Sequence, residues 1–120
     1  MASNIYFFNR DDKYFEFSNF AGFGFDLNKC YWRTMEHYFQ AMKFEGTPQF
    51  EKILNAGSPK QAKDLVQSRA YPIRCDWDQV KEEIMLLGLR EKFKNPELKS
   101  LLLGTGKKIL IENSPYDRYW

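Results

Sequence analysis

Residues 34–44, TMEHYFQAMKF, are the stretch that decides the fold of this 120-residue chain. The stretch contains no Pro or Gly, and Thr34 is of a type that caps a first helical turn, so it predicts a helix. Glu36, Gln40 and Lys43 recur at i, i+4 and i+7, which places them in one narrow polar stripe. The rest of the helix is apolar, and a helix that is apolar nearly all round is normally buried in a core.

The polar stripe has two interpretations. Buried charges need partners or shift their pKa, so a stripe inside the core indicates the floor of a pocket. Alternatively, the stripe is a solvated face on which Glu36 and Lys43 complement the helix dipole and Gln40 bridges them. The pattern alone favours the solvated face, because polar helix stripes are usually exposed. His37 has no Cys or Ser partner at a motif spacing, and we interpret it as a packed or capping residue.

Length and composition bound the class of protein. The chain is long enough for a single domain, residues 1–120, with one core. Its 18 basic and 16 acidic residues give a net charge of +2, which is no footprint of nucleic-acid binding. One histidine and two cysteines without a CxxC motif predict neither a metal nor a cofactor. The start lacks a signal-peptide pattern and no apolar run reaches membrane-spanning length, so we expect a cytoplasmic protein with reduced thiols and no membrane partner.

Short β-type runs separated by turn residues fill the first third of the chain. Residues 5–8 and the alternating run 23–27 predict strands, and residues 28–29 predict a hairpin turn into a returning strand at 30–32. We expect these strands to form one small antiparallel sheet, which a further strand at 108–112 joins.

Helix signals dominate after Gly46, where Pro follows a capping residue three times. The further helices are predicted over 47–55, 58–66, 76–94 and 95–104. Asp76 is predicted to cap the long helix over 76–94. The inner face of this helix is expected to carry Val80, Ile84, Leu87, Leu89 and Phe93. The predicted fold class is therefore α+β, a small antiparallel sheet packed with several helices.

Acid, amine and aromatic side chains are the candidates for chemistry: Glu36, Lys43, Asp117, Trp77 and Trp120. The sequence contains no phosphate loop, nucleotide-binding glycine fingerprint, nucleophile elbow or metalloprotease helix. Two carboxylates and an amine around a stacking aromatic suit cleavage of a glycosidic bond. A lysine whose pKa is lowered by burial can also form a Schiff base with an opened ribose. Equally, Trp77 fits a hydrophobic staple and Asp117 a turn cap.

Residues 36–44, EHYFQAMKF, closely resemble the signature helix of the NADAR superfamily, the YbiA-like proteins. The resemblance covers nearly the whole chain in the right order, through FSNF at 17–20, AK at 62–63, DWD at 76–78, the helix at 85–93, LLL at 101–103, TG at 105–106 and DRYW at 117–120. It implies a small α+β enzyme of YbiA-like fold that cleaves N-glycosidic bonds.

The resemblance also implies roles for single residues. Glu36 matches the catalytic glutamate of the family, Lys43 the lysine of the Schiff-base route and Asp117 a late catalytic aspartate. Asn19 matches the pocket asparagine, and Trp77 a tryptophan on which the base would stack. The complete set of residues predicted to bind substrate is Asn19, Gln40, Arg69, Trp77 and Trp120.

Substrates and partners follow from the same resemblance. In bacterial and plant members of the family, the substrates are phosphorylated ribosylamino-pyrimidine intermediates of riboflavin synthesis, and this is the expected substrate. One alternative is an ADP-ribosyl-nucleobase glycohydrolase, for which nucleic acid would be a partner. Another is a non-catalytic module that binds ADP-ribose or a ribosyl nucleotide. A homodimer is left open.

Two departures from the family pattern bear on the pocket. Relatives usually carry a Gly-Arg pair where this chain has Val66 and Gln67, so Arg69 would have to supply the phosphate contact. Relatives also continue past the tryptophan that corresponds to Trp120 with a Gly-rich segment. We therefore expect either a smaller and more open pocket or a short, reduced variant of the family.

Overall fold

A computed structural model describes residues 4–7, 15–67, 71–104 and 109–112. The strands are β1 (Asn4–Phe7), β2 (Phe25–Leu27), β3 (Cys30–Trp32) and β4 (Ile109–Glu112). The helices are α1 (Met35–Met42), α2 (Pro48–Leu54), α3 (Pro59–Val66), α4 (Trp77–Lys92) and α5 (Pro96–Leu103), and a short 3-10 helix covers Phe15–Phe17. The α+β class predicted from the sequence is confirmed.

Polar side chains at the helix starts explain where most helices begin. The side chains of Thr34, Ser58 and Asn95 accept hydrogen bonds from the first turns of α1, α3 and α5, as predicted. Asp76 precedes α4 but does not cap it, because its carboxylate accepts hydrogen bonds of 2.6 and 3.0 Å from Arg74. The predicted capping role of Asp76 is therefore wrong, since a bidentate pair with a guanidinium is stronger than a bond from a neutral amide.

The strands form two separate two-stranded sheets within the described residues. Strands β2 and β3 make the predicted antiparallel hairpin, whose turn places Asn28 and Lys29 at φ 55° and 65°. Strand β1 pairs with β4 in parallel, with Ile5 opposite Leu110. The strands therefore do not form the single antiparallel sheet that was predicted, because β1 and β4 make a separate, parallel pair. All five helices separate β1 from β4 along the described chain, and such a crossover connection brings strands together in parallel.

Helix α1 lies at the centre of the core. All of its residues are buried, and it packs against α2, α3, α4 and β3. Tyr38 contacts Trp32 edge-on with ring centroids 5.6 Å apart, and both side chains are almost fully buried. Burial of each such side chain stabilises the folded state by on the order of 2–3 kcal/mol. Residues 34–44, from which the fold was predicted, therefore contribute much of the core packing.

Helix α4 packs on α1 at Gly88, where side chains of α1 lie against the α4 backbone. A Cβ at Gly88 would lie 2.5 Å from Met35 Cε and 2.6 Å from Tyr38 Cε2. One turn earlier, the Tyr38 hydroxyl donates to the Ile84 carbonyl at 3.0 Å, and burial raises the pKa of Tyr38 to about 12. Glycine at this position therefore sets how closely α4 packs on α1.

The inner face of α4 differs from the predicted one. Leu87 was predicted to face inward, but 40% of it is exposed. The buried residues of α4 are Trp77, Lys81, Ile84, Met85, Gly88 and Lys92. Two lysines and a glycine occupy this face, so apolar periodicity did not reveal it. In residues 15–67 and 71–104, no helix has the length and apolar character needed to cross a bilayer.

Candidate active site

The polar stripe of α1 is buried. Glu36 is 6% exposed, Gln40 7% and Lys43 8%, so the solvated-face interpretation is wrong. Gln40 Nε2 donates to Glu36 Oε1 at 2.6 Å. The amide one turn along the helix therefore fixes the carboxylate, and the amine belongs to Lys43, the residue that caps the C-terminal end of α1.

A turn at residues 18–20 docks against the start of α1. The Asn19 carbonyl accepts a hydrogen bond from Glu36 N at 2.9 Å, and Ser18 Oγ accepts one from Phe20 N at 3.1 Å. The buried Lys92 Nζ donates to the Ser18 carbonyl at 2.7 Å. Asn19 is thus brought beside Glu36, and binding of substrate by its side-chain amide stays a prediction.

Lys43 lies beside two aromatic rings. Its Nζ is 5.6 Å from the ring centroid of Phe39 and 5.6 Å from that of Trp77. The two rings contact each other edge-on with centroids 5.1 Å apart. We call Phe39 and Trp77 the aromatic wall. It limits access of water to the amine and holds the amine by cation–π attraction.

The net effect of burial and neighbouring charges is to lower the pKa of Lys43. Burial lowers the pKa of Lys43, the Glu36 carboxylate opposes this shift, and the charges of Lys63 and Lys81 lower the pKa further. A lowered pKa increases the fraction of neutral amine at neutral pH, and the neutral amine is the nucleophilic form. The chemistry available is that of a carboxylate and an activated amine in one water-poor site.

Lys63 and Lys81 were not predicted as site residues. Lys63 Nζ is 5.9 Å from the ring centroid of Phe20, next to the turn that holds Glu36. Lys81 is 7% exposed and follows Trp77 by one turn of α4. The i, i+4 spacing from Trp77 could have identified Lys81, because residues four apart share a helix face.

His37 takes no part in the stripe. Its Nδ1 is 2.8 Å from Thr34 Oγ1 and its Nε2 is 2.9 Å from the Ala56 carbonyl. A carbonyl only accepts, so Nε2 carries the proton, and Nδ1 accepts from the Thr34 hydroxyl. Burial lowers the pKa of His37, although the hydrogen bond to the Ala56 carbonyl acts to raise it. The lowered pKa favours the neutral ring. Of the two interpretations of His37, packed or capping, the packed one is confirmed, since the residue is 1% exposed.

The remaining predicted site residues, Arg69, Asp117 and Trp120, lie outside the described residues, and their roles stay predictions. Cys30 and Cys75 are both free thiols.

A surface cavity of about 760 Å³ lies elsewhere in the fold. It is lined by Val66, Gln67, Tyr71, Pro72 and Ile73. Among the described residues, the side chains that line this cavity include no carboxylate and no amine, whereas the α1 stripe carries both.

Comparisons with known proteins show the family of this chain. The NADAR domain family model matches residues 6–120. A protein of Escherichia coli (strain K12) named N-glycosidase YbiA is 40% identical over 117 residues, which are 97% of this chain and 73% of that protein. A riboflavin biosynthesis protein of Vibrio vulnificus (strain YJ016) is 35% identical over 121 residues, which are 100% of this chain and 33% of that protein. The chain superimposes on the NMR structure of E. coli YbiA with a TM-score of 0.87 at 39% identity. The match covers 100% of this chain and 73% of the YbiA chain.

Proposed function

The chain belongs to the NADAR domain family, and we propose that this N-glycosidase hydrolyses the C–N glycosidic bond of a ribosylamino-pyrimidine phosphate. The proposed substrate is supported by relatives of two kinds, one named an N-glycosidase and one named for riboflavin biosynthesis. The observation that carries the proposal is the burial of Glu36, Gln40 and Lys43 in one stripe with the aromatic wall beside the amine.

Glu36 is proposed as the acid–base residue. Its carboxylate is buried and held by Gln40, so it can take up a proton and return it without changing position. As a carboxylate it also stabilises positive charge that develops on the anomeric carbon as the C–N bond breaks.

Lys43 is proposed as the nucleophile. Its neutral amine attacks the anomeric carbon of the ring-opened ribose and displaces the amine of the pyrimidine, which leaves the sugar bound to Lys43 as an imine. Water then adds to this imine, the bond from carbon to lysine nitrogen breaks, and free sugar and lysine are restored. Glu36 accepts the proton lost by the attacking amine and delivers it to the departing nitrogen, so substrate and one water give sugar and base.

Substrate binding is assigned to the surroundings of this pair. Gln40 Oε1 is a buried acceptor available to a ribose hydroxyl, and Asn19 is held beside Glu36 through its backbone carbonyl. Trp77 supplies an aromatic face for the pyrimidine. By resemblance, Asp117 assists catalysis, while Arg69 and Trp120 complete the substrate contacts.

The experiment that tests the proposal is incubation of the purified protein with a ribosylamino-pyrimidine phosphate, with release of the base followed by chromatography. We expect release, and we expect Glu36→Gln to lower the rate about a hundredfold or more, because acid–base catalysis contributes on that order. Glu51→Gln, at an exposed position on α2, is the matched control and should keep the wild-type rate.

A parallel incubation with ADP-ribosylated guanosine separates the alternatives. Release of guanine from that substrate, but no release from the pyrimidine substrate, would replace the proposed substrate with an ADP-ribosylated base. Full activity of Glu36→Gln would show that the proposed acid–base role is wrong. Release from neither substrate, with tight binding of ADP-ribose, would indicate a binding module.

A further inference from the structure

Lys92 is a buried lysine to which neither the acid–base chemistry nor the substrate contacts assign a role. It lies in the last turn of α4 and is 1% exposed. Its Nζ donates to the Ser18 carbonyl at 2.7 Å and is 5.8 Å from the ring centroid of Phe93. Lysine is almost never fully buried without a partner, because its ammonium group loses its hydration. One bond that offsets this loss joins residues 74 positions apart, so Lys92 fixes a remote segment of the chain.

The segment that Lys92 holds is the turn at residues 18–20. Phe17, just before the turn, packs on Phe93 with ring centroids 5.7 Å apart, so the end of α4 contacts this segment through a ring as well as an amine. Within the turn, Ser18 is buried and its Oγ accepts from the amide of residue 20 at 3.1 Å. The end of α4 therefore fixes the place where this turn begins.

The next carbonyl of the same turn contacts α1. The Asn19 carbonyl accepts a hydrogen bond from Glu36 N at 2.9 Å. The first amides of a helix have no acceptor within the helix, so this bond is part of the way in which α1 begins. Two consecutive carbonyls, those of Ser18 and Asn19, are thus held by α4 and α1 respectively. The position of the turn relative to Glu36 is therefore set from both helices.

Helix α4 is itself fixed to α1 on the face that carries Lys92. Ile84, Gly88 and Lys92 are spaced by four residues and lie on one face of α4. The Ile84 carbonyl accepts from the Tyr38 hydroxyl at 3.0 Å, and Gly88 lies against side chains of α1. Lys92 therefore reaches the turn from a helix whose position relative to Glu36 is already determined.

We propose that Lys92 is a positioning residue of the active site, whose amine holds the turn at residues 18–20 so that Asn19 and Glu36 face the same substrate. The inference rests on the proposed function and adds to it the residue that places two of its groups. Lys92 acts through Asn19 and Glu36 and touches no reacting atom. A misplacement of about 1 Å in an active site can lower a rate about a hundredfold. Loss of the amine should therefore impair catalysis in a fold that remains intact.

The test compares Lys92→Met with Gln49→Met in the release of base from a ribosylamino-pyrimidine phosphate. Each variant loses a buried side-chain nitrogen that donates to a backbone carbonyl at 2.7 Å, but the bond of Gln49 goes to Leu65 on α3 rather than to the turn. At a temperature where both variants are folded, kcat/KM of Lys92→Met should fall about tenfold or more, and that of Gln49→Met should equal the wild-type value. A role of Lys92 in stability alone would leave kcat/KM of both variants unchanged.

A double-mutant cycle with Asn19→Ala shows whether Lys92 acts through the turn. Substitutions that act through a shared element are not additive. In the Asn19→Ala background, Lys92→Met should therefore lower kcat/KM only about a few-fold, and Gln49→Met should again have no effect. The proposal is overturned if Lys92→Met retains the wild-type kcat/KM, or if its effect adds in full to that of Asn19→Ala.

Hydrogen exchange of the Glu36 amide provides a readout that does not require activity. This amide should exchange several-fold faster in Lys92→Met than in Gln49→Met, and equal rates would contradict the proposal. If Lys92→Met does not fold, Ser18→Ala replaces it, because this change removes the 3.1 Å bond within the turn and leaves the amine of Lys92. Ser18→Ala should show the same two effects, and their absence would overturn the proposal. Failure of the proposed function looks different: the wild type releases no base, whereas exchange of the Glu36 amide still depends on Lys92.

Discussion

Replacement of Gln40 by methionine should separate activity from stability. Gln40 Nε2 donates to Glu36 at 2.6 Å, and loss of a hydrogen bond to a charged group costs about 1.5–3 kcal/mol. The same substitution removes the unpaired buried Oε1, whose burial costs about 1–3 kcal/mol. Methionine fills a similar volume, so the two terms offset and the free energy of unfolding should change by about 1 kcal/mol or less.

Gln49→Met is the matched control for Gln40→Met. Gln49 is also buried, at 2% exposure, and its Nε2 donates to the Leu65 carbonyl at 2.7 Å. Removal of this donor loses the hydrogen bond without the compensating gain that removal of the unpaired Gln40 Oε1 gives, and we expect a loss of about 1–3 kcal/mol. Gln49 does not belong to the α1 stripe, so its variant should keep the wild-type rate of base release.

Urea unfolding and base release, measured on both variants, test the reasoning. Gln40→Met should unfold near the wild-type midpoint, but its kcat/KM should fall about tenfold to a hundredfold, because Glu36 is no longer held and the sugar loses an acceptor. The reasoning is refuted if Gln40→Met is destabilised as much as Gln49→Met, or if it retains full activity.

Further predictions concern the buried lysines and the helix crossing. Burial lowers the pKa of Lys43 below its ordinary value of 10.5, so the unfolded state binds more protons than the folded state as the pH approaches 10.5. The stability of the wild type should therefore rise between about pH 7 and 9.5, and Lys43→Met should lack this rise. Urea unfolding midpoints at the two pH values measure the difference. Gly88→Ala should lower the free energy of unfolding by about 1–3 kcal/mol, because the added Cβ would overlap side chains of α1. Gly22→Ala is the control, since a Cβ at Gly22 meets nothing within 4 Å. Thermal unfolding of the two variants compares them. Lys92→Met removes the 2.7 Å bond to Ser18, so amide exchange in residues 18–20 should accelerate.

The sequence predicted best those features that depend on neighbouring residues. Helix α1 and its stripe follow from spacing and a cap. The pattern of residues 34–44 alone favoured a solvated stripe, and only the resemblance to a family with active residues at Glu36 and Lys43 indicated a pocket there. The interior position of His37 was anticipated in the same way, because nothing in the sequence offered it a catalytic partner.

Features that depend on remote contacts were missed. The parallel pairing of β1 with β4 depends on how the intervening helices return the chain, and local pattern contains no such information. The inner face of α4 is set by Gly88 and by lysines whose stems pack while their amines reach polar partners. Lys81 was overlooked for this reason, since a lysine on a helix is ordinarily counted as solvent-facing.

Glu36 lies in the first turn of α1 and Lys43 caps its end, so one short segment carries both groups. The acid and the amine move together as a rigid unit, so their mutual geometry is independent of any loop. The groups around them come from other segments: the turn at residues 18–20, α3 and α4. Directed evolution toward a new leaving group or a new sugar should therefore vary those three segments and keep residues 34–44 constant.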